Sequence, residues 1–333
     1  MVATTTLKKI SEMLNISIST VSRALKNHPD ISERTKQKVN DLATMLDYEP
    51  NPYAIQLSSK TSKVLGLIVP KVSDLFYTSF IDAVEEESRK NGYSLIILKS
   101  DNDVNVEINH VRFCKKQRVA GVFASVTPDT DNLDAFERLK EVEMPVIFYD
   151  RVPSTEKFVR ACFNDKAAAI LAAETILAKK KTKVLAIFGD THISITQQRL
   201  EAFKDIFKQH KCSNKLITAH SKTFEDSINI VTKHFSGEDK PDTIFCMSDE
   251  IMVGVMKALQ ILQLSVPKQV SIITISNDGF YPKLYHPEIT YVETSGYKLG
   301  KLAFEIMIKA INGDKTIQEF DVDPVLVEGG SLI

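Results

Sequence analysis

The stretch VLGLIV at residues 64–69 decides the fold. It is an unbroken apolar run of strand length, rich in β-branched residues, and a strand apolar on both sides is buried on both faces. Similar runs recur downstream: SLIIL at 94–98, GVFAS at 121–125, PVIFYD at 145–150, KVLAIF at 183–188, TIFCM at 243–247 and VSIITI at 270–275. Amphipathic segments of helical period separate most of them, among them FIDAVEEESRKNGY (80–93), KAAAILAAETILAKK (166–180) and RLEAFKDIFKQH (199–210). Strand–helix alternation with near-continuous apolar strands predicts doubly wound parallel α/β sheets. The strands are too many for one small sheet. The polar turn after Phe188 and the irregular stretch 151–163 predict two α/β lobes.

Upstream of residue 60 the texture changes. TLKKISEML (6–14) carries Leu7, Ile10, Met13 and Leu14 as a helical stripe. A short turn follows, and Ser17 is placed to cap a second helix, ISISTVSRALKN (16–27), with Val21, Ala24 and Leu25 inward. A third helix starts at Ser32 and carries Val39, Leu42, Ala43 and Leu46. Two short helices joined by a tight turn and supported by a third form a helix-turn-helix pattern, whose second helix would enter a DNA major groove; a generic three-helix cap with a solvated basic face fits the same pattern. Eight basic against six acidic residues in positions 1–60 give a local charge of +2, mild support for such a surface. Between the two textures lies the polar connector DYEPNPYAIQLSSKTSK (47–63). Asn51-Pro52 resembles an N-cap with proline at the first helical position. AIQLS is then one or two turns, too short to be stable alone and expected to fold only against a partner.

The composition bounds these readings. With 333 residues, 43% hydrophobic and 26% charged, the chain has room for two or three cores and is no disordered or collagen-like polymer. A net charge of −1 confines any nucleic-acid contact to a local patch. Cys114, Cys162, Cys212 and Cys246 are far apart and form no CxxC pair, so reduced thiols are expected, with no metal and no cofactor. The start, MVATTTLKKI, lacks the apolar segment of a signal peptide and no apolar run reaches membrane-spanning length, which predicts a cytoplasmic protein without membrane association. No GxGxxG, Walker A, GxSxG or HExxH pattern is present, and the seven histidines are scattered, so no enzyme is expected.

At STVSRALKN, EPNPYA and GLIVP the chain resembles transcriptional regulators of the lactose-repressor/galactose-repressor (LacI/GalR) family, and QRLEAF, CMSDEIMVG and VSIITISND extend the likeness over almost its whole length. The resemblance implies a helix-turn-helix headpiece at 1–50, a hinge helix at 51–61, and an effector-binding and dimerisation core at 62–333. That core has a periplasmic-binding-protein-like fold of two lobes, about 62–162 with 293–321 and 163–292 with 322–333. It implies chain crossings near 161–164, 290–294 and 320–324. It also implies a homodimer on a palindromic double-stranded operator, controlled by a small carbohydrate-type effector. Ile18, Ser19 and Arg23 match positions that read base edges; an arginine bonds guanine in a bidentate way and an isoleucine touches a thymine methyl. Thr20 and Ser22 match phosphate contacts. Asn51, Ala54 and Leu57 match the hinge, with Leu57 as a minor-groove wedge.

For the effector the resemblance implies Phe76 and Tyr77 as packing groups, Asp150 and Arg151 at a strand end, Arg199 as the holder of a hydroxyl pair or carboxylate, Phe224 as an aromatic wall, and Ser248 with Asp249 as a polar pair. Ser276 stands where many sugar-binding members carry an aspartate, with Asn277 and Asp278 behind it. Loss of that carboxylate beside two arginines predicts a sugar acid or sugar phosphate in place of a neutral sugar, unless Asp278 reaches in. The segment after the last strand-like run, VEGGSLI, has no heptad, so a dimer is expected and a coiled-coil tetramer is not. A solute-binding transport protein would share the core; it would not need the first 60 residues.

Overall fold

The computed structural model describes residues 6–48, 62–153, 155, 157–210, 215–314 and 319–333. They fall into two compact units divided after Ser62. The first is a three-helix unit: α1 (Leu7–Leu14), α2 (Ile18–Leu25) and α3 (Glu33–Met45). Each helix starts at a hydroxyl cap, with Thr6 accepting from the Lys9 N–H, Ser17 from Thr20 and Ser32 from Thr35. The α1–α2 turn passes through Asn15 in the left-handed region (φ +52°). Ile10, Val21, Ala24, Val39 and Ala43 are buried together, with Leu7, Leu14, Leu25, Leu42 and Leu46 packed around them. A core this small is stabilised by few side chains, so the three caps carry a large share of the helix boundaries.

The second unit holds two parallel sheets. The first sheet contains β1 (Val64–Val69), β2 (Ser94–Lys99), β3 (Gly121–Ala124), β4 (Val146–Tyr149), β5 (Val159–Phe163) and β11 (Glu319–Val322), in the order β11-β5-β4-β3-β1-β2. The second contains β6 (Lys183–Phe188), β7 (Lys215–His220), β8 (Thr243–Cys246), β9 (Ser271–Ser276), β10 (Thr290–Glu293) and β12 (Val325–Val327), in the order β12-β10-β9-β8-β6-β7. Every described pairing is parallel except β10 with β12. Both sheets thus reverse direction of winding at their first strand, β1 or β6, and in such folds ligands settle at the carboxyl ends of the strands.

Helices α4 (Leu75–Lys90), α5 (Val104–Gln117), α6 (Asp134–Lys140) and α11 (Gly296–Ile311) serve the first sheet. Helices α7 (Asp165–Ala178), α8 (Ser194–Gln209), α9 (Phe224–Phe235) and α10 (Asp249–Ile261) serve the second. A 3₁₀ turn at Pro282–Leu284 follows β9. Buried side chains confirm the reading of β1, where five of six residues are buried, whereas edge strand β2 exposes every second or third residue. Residues 159–163, expected to be irregular, form β5 and correct the first reading. Arg160 and the short apolar segment around it hide a strand that only pairing with β4 and β11 makes regular. The chain passes from the first lobe to the second between β5 and α7, returns between β10 and α11, and crosses again between β11 and β12.

α4 and α11 approach closely. A Cβ at Gly296 would meet the Phe76 carbonyl oxygen at 2.5 Å, and one at Gly300 would meet Ala83 Cβ at 2.7 Å. Only glycine allows the first turn of α11 to lie on α4, and that contact positions both helix N-termini beside the strand ends of the second lobe.

Candidate functional site

Two regions carry the candidate residues, one in each unit. In the three-helix unit Ile18, Ser19 and Arg23 are exposed on the first two turns of α2, and Thr20 and Ser22 are half-buried. The Ser17 hydroxyl that caps α2 lies 2.8 Å from the hydroxyls of both Ser19 and Thr20. The helix therefore begins with three hydroxyls and an exposed isoleucine, with Arg23 one turn further along. Asn51, Ala54 and Leu57 lie outside the described residues.

In the second unit a cleft of about 730 Å³ runs between the two sheets' carboxyl ends. Its first-lobe wall is built by α4, the end of β4 and the turn after β2. Asp74 caps α4 by accepting the Phe76 N–H at 2.8 Å. Phe76 packs edge-on against Tyr77 and Phe163. Tyr77 is almost fully buried, and its hydroxyl donates to Asp150 Oδ2 at 2.6 Å. Tyr77 lines the cleft and its hydroxyl orients a carboxylate there. Asp150 itself adopts φ +57°, the sharp exit from β4 that aims its side chain along the cleft wall. Burial pushes the Asp150 carboxyl up to about 6, against the opposing charge of Arg151. Burial, then the neighbouring Asp150 charge, raises Tyr77 well above the ordinary phenol value. Arg151 Nη1 donates to Asn102 Oδ1 at 2.8 Å, linking the β4 and β2 exits.

The second-lobe wall starts with Arg199 on α8. Its Nε and Nη2 reach Asp165 Oδ1 at 2.8 and 2.6 Å, and its Nη1 donates to the Met247 carbonyl at 2.9 Å. Phe224 opens α9 behind a Thr223–Asp226 capping box and remains 42% exposed, so its ring is available to a ligand. Ser248 caps α10. Asp249 lines the cleft, and its carboxylate accepts from Ser276 Oγ (2.6 Å) and the Asn277 N–H (2.8 Å). Burial pushes Asp249 up to about 6, and the two hydrogen bonds pull the other way.

Ser276 is a correction. It is buried and its hydroxyl turns to Asp249; the residue that lines the cleft at the end of β9 is Asn277. Side chains alternate along a strand, so a displacement of one residue exchanges a cleft position for an internal one. Asp278 does not reach in either, since its carboxylate accepts from Ser79 Oγ at 2.7 Å. The sequence reading also passed over Asp74, Asn102, Asp190, Lys222 and Glu250, all of which line the cleft. Each follows a strand or opens a helix, and that placement is the signal that could have found them. Among the described residues no cluster of His, Cys, Asp or Glu is arranged for a metal, and no helix is long and apolar enough to cross a membrane.

The family model for periplasmic binding proteins and the sugar-binding domain of the LacI family matches residues 62–321, and that for bacterial regulatory proteins of the lacI family matches residues 6–51. The chain belongs to the LacI family. This LacI-family chain is similar to the HTH-type transcriptional repressor PurR of Vibrio vulnificus (strain CMCP6), at 26% identity over 328 residues and 97% of each chain. It is likewise similar to the ribose operon repressor of Halalkalibacterium halodurans, at 25% identity over 308 residues, covering 92% of this chain and 90% of the relative. In fold, 99% of it matches all of a lac repressor chain, solved as a dimer bound to operator and the anti-inducer ONPF, with a TM-score of 0.88 and 18% identity. Both of these relatives are named as repressors.

Proposed function

We propose that the chain is a sequence-specific transcriptional repressor that binds a palindromic operator as a homodimer in the cytoplasm and is controlled by a small polyhydroxylated effector in the inter-lobe cleft. In this reading residues 1–50 are the DNA-binding headpiece, 51–61 the hinge, and 62–333 the effector-binding and dimerisation core. The observation that carries it is the α2 surface: Ile18, Ser19 and Arg23 stand exposed on a capped helix held by a three-helix core. Such a helix offers base-edge contacts from Ile18 and Arg23, with Thr20 and Ser22 directed to phosphates. Asn51, Ala54 and Leu57 complete the reading as the hinge contacts.

The cleft supports a neutral sugar over the sugar acid or phosphate first expected. Among the described residues, six carboxylates line it (Asp74, Asp129, Asp150, Asp190, Asp249 and Glu250) against four cations (Lys71, Arg151, Arg199 and Lys222). Arg199 is already paired with Asp165, and Lys222 with Asp190, which leaves five of these carboxylates against Lys71 and Arg151. Carboxylates accept from ligand hydroxyls and repel an anion. Phe76 and Phe224 supply apolar faces for a sugar ring, while Asp150, Arg151, Arg199, Ser248 and Asp249 supply polar contacts; Ser276 acts through Asp249.

The test is selection from sheared genomic DNA of the source organism by the full-length protein at near-physiological salt. A short palindrome upstream of carbohydrate genes is the expected product, and calorimetry with the sugars those genes handle follows. No enrichment, with the protein alone or with a panel of common pentoses and hexoses added, overturns the repressor reading. Tighter binding of the acid or phosphate than of the parent sugar overturns the neutral-ligand reading.

A further inference from the structure

Asn277, one residue beyond β9, touches both lobes. Its backbone N–H donates to Asp249 Oδ2 at 2.8 Å within the second lobe. Its side chain crosses to the first lobe, where Oδ1 accepts the Gly296 N–H at 2.8 Å and Nδ2 donates to the Leu75 carbonyl at 3.3 Å. Leu75 and Gly296 are the first residues of α4 and α11, the two helices whose close approach requires glycine at 296. One planar amide therefore brackets two helix N-termini at once. Only a side chain with both a donor and an acceptor can do so; a carboxylate lacks the donor.

The turn that carries Asn277 is itself pinned. Asp278 adopts φ +54° and takes a second inter-lobe hydrogen bond from Ser79. Gly279 follows at φ +66°, where a Cβ would sit 2.1 Å from Tyr291 Oη on β10. Ser276 Oγ and the Asn277 N–H together hold both oxygens of Asp249, a residue that also lines the cleft. A displacement of Asp249 therefore moves the end of β9 with it, and the amide moves against α4 and α11.

We infer that Asn277 is a positioning residue that sets the angle between the lobes, and that Asp249 transmits ligand contact in the cleft to it. The transmission rests on the effector reading above; the bracket itself does not. Asn277 also lines the cleft, but this role runs through the bracket and needs no contact of its own with the ligand. It supplies the element whose two arrangements a ligand can favour unequally, which is what an allosteric shift requires.

The test uses the full-length protein without ligand, so it fails or succeeds independently of what the cleft binds. Amide hydrogen exchange and solution scattering are compared for the parent, Asn277→Ala and the isosteric Asn277→Asp. The alanine variant loses both side-chain bonds; exchange of the Gly296 amide rises by about tenfold and the radius of gyration grows, while the sheet amides of both lobes keep their protection. Asn277→Asp keeps an acceptor for Gly296 and loses only the donor to Leu75, so Gly296 exchange stays close to the parent while the radius of gyration still grows. Unchanged exchange at Gly296 in the alanine variant overturns the bracket. Faster exchange with no change of shape overturns its control of the lobe angle. If the alanine variant loses sheet protection as well, Asn277→Asp decides by its radius of gyration alone. Asp249→Asn then tests the link: the end of β9 and Gly296 must loosen together, and loosening of β9 alone overturns the transmission.

Discussion

Asp165 holds Arg199: Nε and Nη2 donate to one carboxylate oxygen at 2.8 and 2.6 Å while Nη1 donates to the Met247 carbonyl. Both side chains are about nine-tenths buried. A guanidinium so engaged keeps its shape and has little net charge left to offer an anion. It presents a fixed edge to the cleft with the orientation already set.

Asp165→Ala leaves that guanidinium buried without its counter-charge. The expected cost is about 3–5 kcal/mol of stability, because the uncompensated charge cannot be rehydrated. Urea unfolding of the core measures it. A midpoint equal to the parent's would show that Arg199 finds water or another carboxylate, and the ion pair would then be dispensable.

How far the sequence announced this architecture depends on where each element lies. β1 and β6 are buried on both faces, so their composition alone marked them. β5, β7, β11 and β12 are short or lie at or near a sheet edge, where half-polar segments resemble loops until the partner strand is known. In the cleft, Arg199 and Asp150 could be matched by position, yet the partners that set their chemistry, Asp165 and Tyr77, are 34 and 73 residues away. Nothing local announces such pairs. The Ser276–Asn277 exchange has another cause: at a strand end one residue separates two faces, and a sequence match does not fix the face.

The pH dependence of the core follows from its carboxyls. Asp150 and Asp249 stand near 6, above their ordinary 3.8. A carboxyl raised on folding makes the native chain hold more protons between about pH 4 and 6. Its contribution is thus fully favourable below pH 4 and is lost as pH rises through 6, by up to about 3 kcal/mol per group. Glu86 and Asp239 act in the opposite sense. Held down to about 2 by hydrogen bonds to Lys90 and Tyr297, and to Lys183 and Lys215, they stabilise above about pH 4.5 and lose that contribution as pH falls through 2. Asp249→Asn therefore flattens the decline in stability between about pH 4.5 and 7, read by denaturant titrations. A decline parallel to the parent's would exclude Asp249 as one of its sources.

Glu107 on α5 is fully buried, and its carboxyl, raised by burial, accepts from the Thr127 N–H at 2.7 Å and Thr130 Oγ1 at 2.8 Å. Between those two threonines lie Pro128 and Asp129, which line the cleft. Glu107→Ala strands a buried backbone N–H and frees that lip, at a cost of about 1–3 kcal/mol and with weaker sugar binding. Thermal unfolding and calorimetry check the two effects. Loss of stability with unchanged affinity would detach the loop from ligand binding.

Arg23 and Leu57 are proposed to act on DNA in different ways, and their variants must then differ too. Arg23 is exposed on the second turn of α2, and as a base reader its loss should remove discrimination at one position per half-site, about 1–3 kcal/mol, while leaving the remainder of the palindrome selected. Leu57, proposed as the central wedge, reads no base edge. Leu57→Ala should weaken the selected operator as a whole and leave effector affinity unchanged, because the wedge exchanges unstacking energy for a bent duplex. Repeating the genomic selection with each variant separates the two. A one-base change in the motif is expected for Arg23→Ala, and the same motif at lower occupancy for Leu57→Ala. If Leu57→Ala altered the preferred bases instead, the central step would be read by contact and not by deformation.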